Sequence, residues 1–173
     1  MPSSREENIQ EHSLQVAMIA HCLALLDNKR FGKEHDAEHI MALAVYHETG
    51  EVITGDLVTP IKYYNDEIRT AYKKIELLAE ERMINMLPED LKDEYRPLIQ
   101  PVDEEEKRIV KAADKIAAYT KCLEEIRSGN NEFIKARDSL ERSIHDMKMP
   151  VVEMFMEEFI PDFNVTLDEL NDR

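Results

Sequence analysis

Residues 8–26 read NIQEHSLQVAMIAHCLALL and residues 37–51 read AEHIMALAVYHETGE. In the first stretch Ile9, Leu14, Val16, Ala17, Ile19, Ala20, Leu23 and Leu26 recur at the spacing of a helix. His12 heads the row Val16, Ile19, Leu23, Leu26 and so is expected to point inward with it. The second stretch predicts a helix from Ala37 to Glu48 with the buried row Ile40, Leu43, Ala44, His47, which Glu51 would continue. Two amphipathic helices that each carry an imidazole on the apolar side point to an all-α fold with a polar site in its core.

The remainder of the chain keeps this character. Asp27 to Asp36 reads as a polar connection, and Gly55-Asp56 as a turn. Thr59 and Pro60 form an N-cap and first-turn pair, predicting a long helix from Pro60 to about Met86. A shorter helix should open at Pro88 and stop before Pro97, with a loop from Gln100 to Asp103. Helices are expected over Glu104–Arg127, Asn131–Met147 and Val151–Ile160, with Pro161 as a terminator and one more turn over Thr166–Leu170. No repeat, low-complexity tract or domain boundary interrupts the pattern. The expectation is one all-α helical bundle over residues 1–173, with residues 1–7 loose.

Composition narrows the function classes. The 173 residues are 43% hydrophobic and 34% charged, a globular balance, and 4 Gly leave little room for the turns of an all-β fold. A formal net charge of −15 argues against a nucleic-acid polymer or an anionic membrane as partner. Any phosphate ligand must therefore find its positive charge in a metal ion or a local Arg or Lys. Cys22 and Cys122 lie inside predicted helices with no CxxC spacing, as expected of reduced thiols in a cytoplasmic protein. No signal peptide and no apolar run of membrane length is seen.

The stretch from Tyr46 to Asp56 carries an imidazole and several carboxylates at the end of an apolar pattern. His47 and Glu51 are four apart and share a face if the helix reaches that far. Glu48 lies about 100° further round and converges on the same point only at a helix end or against another helix. Imidazole with carboxylate suits a borderline divalent metal. His12 would add a second imidazole. Asp114, in the row Val110, Ala113, Ala117, Ala118, would add a carboxylate amid small residues that let helices approach closely. Taken singly, His12 and Asp114 also read as ordinary satisfied core residues; only the set makes a metal site. Such an ion would lower the pKa of a water and neutralise phosphoryl charge. Glu51, beside the metal, is then the candidate general acid/base. A zinc-protease reading fails, because its second His would be needed at position 51, which is Glu.

On these residues the chain resembles the HD-domain phosphohydrolases, and within them the bacterial 5′-deoxynucleotidases of the YfbR type. The likeness is carried by residues 7–17, by Tyr46-His47 through Tyr63, by Lys111-Ala112-Ala113-Asp114, and by residues 119–125 with 129–133. It implies that His12, His47, Glu48 and Asp114 occupy four metal-ligand positions and that Glu51 positions or activates the attacking water. It also implies that Asp56, Leu57, Val58 and Thr59, with His12 and Asp114, contact the nucleotide. The implied reaction is hydrolysis of deoxyribonucleoside 5′-monophosphates by a homodimer that uses one divalent ion, Co or Mn.

Two departures from the family pattern bear on that expectation. The namesake His-Asp pair is here His47-Glu48, whose extra methylene moves the carboxylate by roughly 1.5 Å. Family members also carry an Arg-Trp pair upstream of the first ligand His; this chain has no Trp, and its N-terminal segment is expected to be missing. The alternative expectation is therefore a nucleotide-binding HD module with weak or no catalysis. A helical interaction protein without metal is the blandest reading.

Overall fold

A computed structural model describes residues 3–4, 7–55 and 65–164. Among these residues the structure is helical and contains no strand. The helices are α1 (Ile9–Phe31), α2 (Ala37–Tyr46), α3 (Glu51–Thr54), α4 (Asp66–Asn85), α5 (Glu89–Ile99), α6 (Glu104–Arg127), α7 (Ile134–His145) and α8 (Pro150–Glu158). Short 3₁₀ turns at Asn131–Phe133 and Ile160–Asn164 follow α6 and α8.

α1 is the central element. It packs most extensively on α2 and on α6, and α6 in turn carries α7. Val16, Ala20, Leu23 and Ala24 of α1 have no solvent exposure, nor have Ile40 and Ala44 of α2 or Ile109, Ala113 and Ile116 of α6. The small residues let the three helices approach closely, and the branched ones fill the space between them. α1 starts on a capping box, in which Asn8 accepts from the Glu11 amide and the Glu11 carboxylate accepts from the Asn8 amide.

The inward row of α1 is found as expected at Val16, Ile19 and Leu23, but Leu14 does not join it and is 61% exposed. α1 also runs one turn past the expected end. Gly32 closes it at φ 70°, ψ 27°, the left-handed conformation that glycine adopts without penalty. The polar residues thought to form a connection are satisfied instead: the Asp27 carboxylate lies 2.8 Å from His35 Nε2, and Asn28 exchanges two hydrogen bonds with the His35 backbone.

Other boundaries move for equally local reasons. α5 runs through Pro97 to Ile99. A proline this near a helix end forfeits only one ladder bond, and the Gln100 amide still reaches the Arg96 carbonyl at 2.8 Å. A single helix from Pro60 to Met86 is not found. Asn65 is extended (φ −154°, ψ 170°) and caps α4 by accepting from the Ile68 amide, so α4 starts only at Asp66. The Thr59-Pro60 start and the Thr166–Leu170 turn lie outside the described residues. α6 has the expected bounds. Helix 131–147 opens instead as a 3₁₀ turn, and Pro161 sits inside the final 3₁₀ turn. Ser4, in a stretch expected to be loose, is tied down: its amide donates to both oxygens of Glu125 at 3.0 and 2.8 Å.

The methionines near the C-terminus face the core; Met149 is buried and Met147 and Met156 pack against it. Among the described residues, exposed apolar side chains include Leu14, Met18, Met41 and Val45 on α1 and α2, continuing to Val52, and Ile75, Leu77 and Leu78 on α4. No described helix is long and apolar enough to cross a membrane. Cys22 and Cys122 are both free thiols, and burial pushes each above its ordinary pKa.

Candidate metal centre and active site

Three elements deliver four side chains to one point. His12 comes from the first turn of α1, Asp114 from the middle of α6, and His47 with Glu48 from the residues that end α2. One ligand atom from each of His12, His47, Glu48 and Asp114 lies within 4.8 Å of every other. The two imidazole centroids are 5.6 Å apart.

The end of α2 is what lets neighbours in sequence act together. His47 is still helical in φ and ψ, but the Thr49 amide reaches back to Tyr46 and the Glu51 amide to Glu48, three residues each, so the chain tightens there. The tightened turn carries Glu48 onto the side occupied by His47. The expected common helical face of His47 and Glu51 therefore does not exist as such, because Glu51 opens a separate helix, α3. Glu51 is nevertheless close enough to the cluster to act on the Glu48 carboxyl.

His47 is oriented by its own helix. Its Nδ1 lies 2.7 Å from the Ala44 carbonyl oxygen, which can only accept, so Nδ1 carries the proton and Nε2 presents a lone pair. That Nε2 is buried and has no hydrogen-bond partner; Glu48 Oε1 is 3.2 Å away without hydrogen-bond geometry. A backbone acceptor on the far nitrogen is the arrangement by which metal-binding imidazoles are held. Across the site His12 Nε2 is 3.2 Å from Asp114 Oδ1.

The charges answer one another. The hydrogen bond to Asp114 raises the His12 pKa above its ordinary value; burial opposes this, and the charges of Asp114, Glu48 and Glu7 reinforce it. Burial alone would raise the Glu48 carboxyl, but His47 in its protonated form, neighbouring Glu51 and the charge of His12 outweigh it and hold it low. A proton on His12 thus occupies the centre of a carboxylate-rich cluster. A buried orphan nitrogen, a second imidazole and two carboxylates fit a divalent ion of the borderline class.

Asp56, Leu57, Val58 and Thr59 lie outside the described residues. Two features of the site went unread in the sequence. One is the Ala44 carbonyl, which belongs to the backbone and has no residue signature. The other is the seat of Glu51 on α4, through Gly50 and Tyr72. An isolated Gly50 at the end of an apolar pattern was the available signal for a close backbone approach.

Known proteins resemble this chain over nearly its whole length. The family described as 5′-deoxynucleotidase YfbR-like matches residues 1–163. A 5′-deoxynucleotidase of Vibrio vulnificus is 49% identical over 173 residues, covering 99% of this chain and 89% of its own. The 5′-deoxynucleotidase YfbR of Escherichia coli is 47% identical over 99% of this chain and 87% of its own. Among solved structures, an HD-domain phosphohydrolase from Listeria innocua superposes with a TM-score of 0.78 at 25% identity, over 94% of this chain and 79% of the other. A protein from Pyrococcus horikoshii shares the fold with a TM-score of 0.67. The helical architecture is thus that of an HD domain, and at this identity over nearly its whole length the chain belongs to the YfbR-like 5′-deoxynucleotidase family.

Proposed function

We propose that the protein is a metal-dependent phosphomonoesterase that hydrolyses deoxyribonucleoside 5′-monophosphates to deoxynucleoside and phosphate. The observation that carries this reading is the buried, partnerless Nε2 of His47 facing His12, Glu48 and Asp114. Those four side chains hold one divalent ion, Mn or Co. When bound, the ion supplies the positive charge that an acidic chain lacks, polarising the phosphoryl oxygen and lowering the pKa of water.

The protein's own groups do the rest. The Ala44 carbonyl locks the His47 tautomer. Small residues around Asp114 keep α6 close to α1, so that the ligands meet. Glu51, next to Glu48 and not needed for the ligand set, orients the attacking water and takes its proton. Asp56 to Thr59, with His12 and Asp114, are the residues proposed to bind the nucleotide. The longer Glu48 side chain still reaches the cluster, and the relatives that match almost the whole chain bear the name of the activity, so no observation favours a non-catalytic module. The protein works as one HD domain in the cytoplasm, and as a homodimer; the exposed apolar face of α1 and α2 supports the association.

The test is phosphate release from dAMP, dGMP, TMP and AMP with added Mn or Co. Release from the deoxynucleotides that requires the metal is the expected result. No release at any metal concentration from folded protein rejects the reading. Light scattering at rising concentration tests the dimer.

A further inference from the structure

Glu51 sits on an element with little support of its own. α3 is a single turn of four residues, has no buried residue and lacks a side-chain N-cap. A helix this short is not stable alone. Among the described elements its substantial packing partner is α4.

α4 meets α3 at both ends. At the start, Gly50 is buried against α4, where an added Cβ would stand in ordinary contact, 3.4 Å from Glu80 Cγ and 3.6 Å from the Glu76 carbonyl oxygen. At the finish, the hydroxyl of Tyr72, a residue 8% exposed, donates to the Gly55 carbonyl at 3.0 Å. Tyr72, Glu76 and Glu80 are four apart and form one row along α4. The row therefore underlies the whole turn. Gly55 has φ 69° and ψ 161°, a conformation reserved for glycine, and its amide donates to the Glu51 carbonyl at 2.8 Å. Gly55 thus joins the two elements: its carbonyl accepts from the Tyr72 hydroxyl, and from the Thr54 hydroxyl at 3.1 Å, while its amide donates to the backbone of Glu51.

We propose that Tyr72 is a positioning residue for the hydrolytic reaction: by holding Gly55 it fixes the one-turn helix that presents Glu51 to the metal cluster. The inference rests on the role of Glu51 proposed above. The Tyr72 hydroxyl reaches the site through the Gly55 carbonyl, so its effect on Glu51 is carried by the turn.

The experiment uses Tyr72→Phe, which keeps the buried ring and removes only the hydroxyl. Hydrogen exchange of the Gly55 amide should speed up by about five- to tenfold, the value of one neutral hydrogen bond. With Mn present, kcat should fall by about five- to tenfold, because small misplacement of a reacting group is costly, while metal uptake stays unchanged. On a Glu51→Gln background the same substitution should cause no further loss. Gly55→Ala, which meets nothing within 4 Å but strains the backbone, should reproduce both changes from the other side. Unchanged exchange overturns the inference; so does faster exchange with unchanged kcat, or an additive loss with Glu51→Gln. A wild-type protein that releases no phosphate overturns the hydrolytic reading and this role with it. An active wild type with an unaffected Tyr72→Phe variant overturns the role alone.

Discussion

The four proposed metal ligands and Glu51 are neighbours in space but are mounted in opposite ways. His12, His47 and Asp114 project from the block of α1, α2 and α6, whose facing residues are wholly buried. Glu51 projects from a one-turn helix with no buried residue, held by α4. Among the described elements, α4 packs chiefly on α3 and α5. Ligands must keep their mutual distances in the absence of the ion, and dense packing does that. The role proposed for Glu51, directing water, needs only a correct direction, and two contacts with α4 supply it. The lesson is that one site draws rigidity and access from different parts of the fold.

The sharpest way to break this contrast is to delete a ligand. His47→Ala should lose bound metal and bring phosphate release to background, because a direct ligand should cost at least the roughly 10–100-fold in affinity that outer partners do. Elemental analysis of the purified variant reads the first effect and a phosphate assay the second. Retention of a full equivalent of metal would remove His47 from the set. Glu51→Gln should do the reverse, lowering kcat by about 10²–10⁴-fold with metal content intact. Parallel loss of metal would make Glu51 a ligand and erase the distinction.

Stability should divide along the same line. Leu23→Ala empties a fully buried position of α1 and should cost about 2–5 kcal/mol, read by denaturant unfolding. Val52→Ala, on the exposed side of α3, should stay within about 0.5 kcal/mol of wild type. Comparable losses at the two sites would mean that α3 is packed as firmly as the central block.

The metal-free cluster should also leave a mark on the pH dependence of stability. The folded pKa of His12 is raised above 6.5, so its contribution is complete below that pH and disappears as pH rises through the folded value. The folded pKa of Glu48 is lowered below 4.5, so its contribution is present above that pH and is lost as pH falls through the folded value. Calorimetry without metal should show Tm falling on both sides of this window. With Mn present the alkaline fall should shrink, since the ion takes the place of the proton. An alkaline limb that metal does not alter would separate His12 from the ion site.

How far the residues alone led depends on the kind of information each required. The periodicity of Val16, Ile19 and Leu23 and of Ile40, Leu43 and Ala44 was enough for two buried helix faces, because burial follows a 3.6-residue repeat whatever the neighbours are. Glu104–Arg127 could be bounded because Asp103 caps one end and Ser128-Gly129 follows the other. His12, His47, Glu48 and Asp114 could be grouped by residue type and by family resemblance. Their meeting could not be read from spacing, since it depends on how α1, α2 and α6 pack.

The boundary errors have the same origin. Nothing local distinguishes a helix that continues from His47 into Glu51 from one that tightens at Thr49 and restarts. α4 decides it, by accepting the bare backbone of Gly50 and bonding the Gly55 carbonyl. Asp27 likewise looked like loop until His35, eight residues on, became its buried partner.

By itself, then, the order of residues determined which segments are helical, which sides of them avoid water, and which side chains have the chemistry for a divalent ion. These are properties of a few neighbouring residues and their solvation. Tertiary structure alone decided that His47 Nε2 is left without a partner, that Glu48 turns toward His12, and that Glu51 stands on a separate turn backed by Tyr72. Each of those depends on contacts between segments tens of residues apart, where packing overrides local preference.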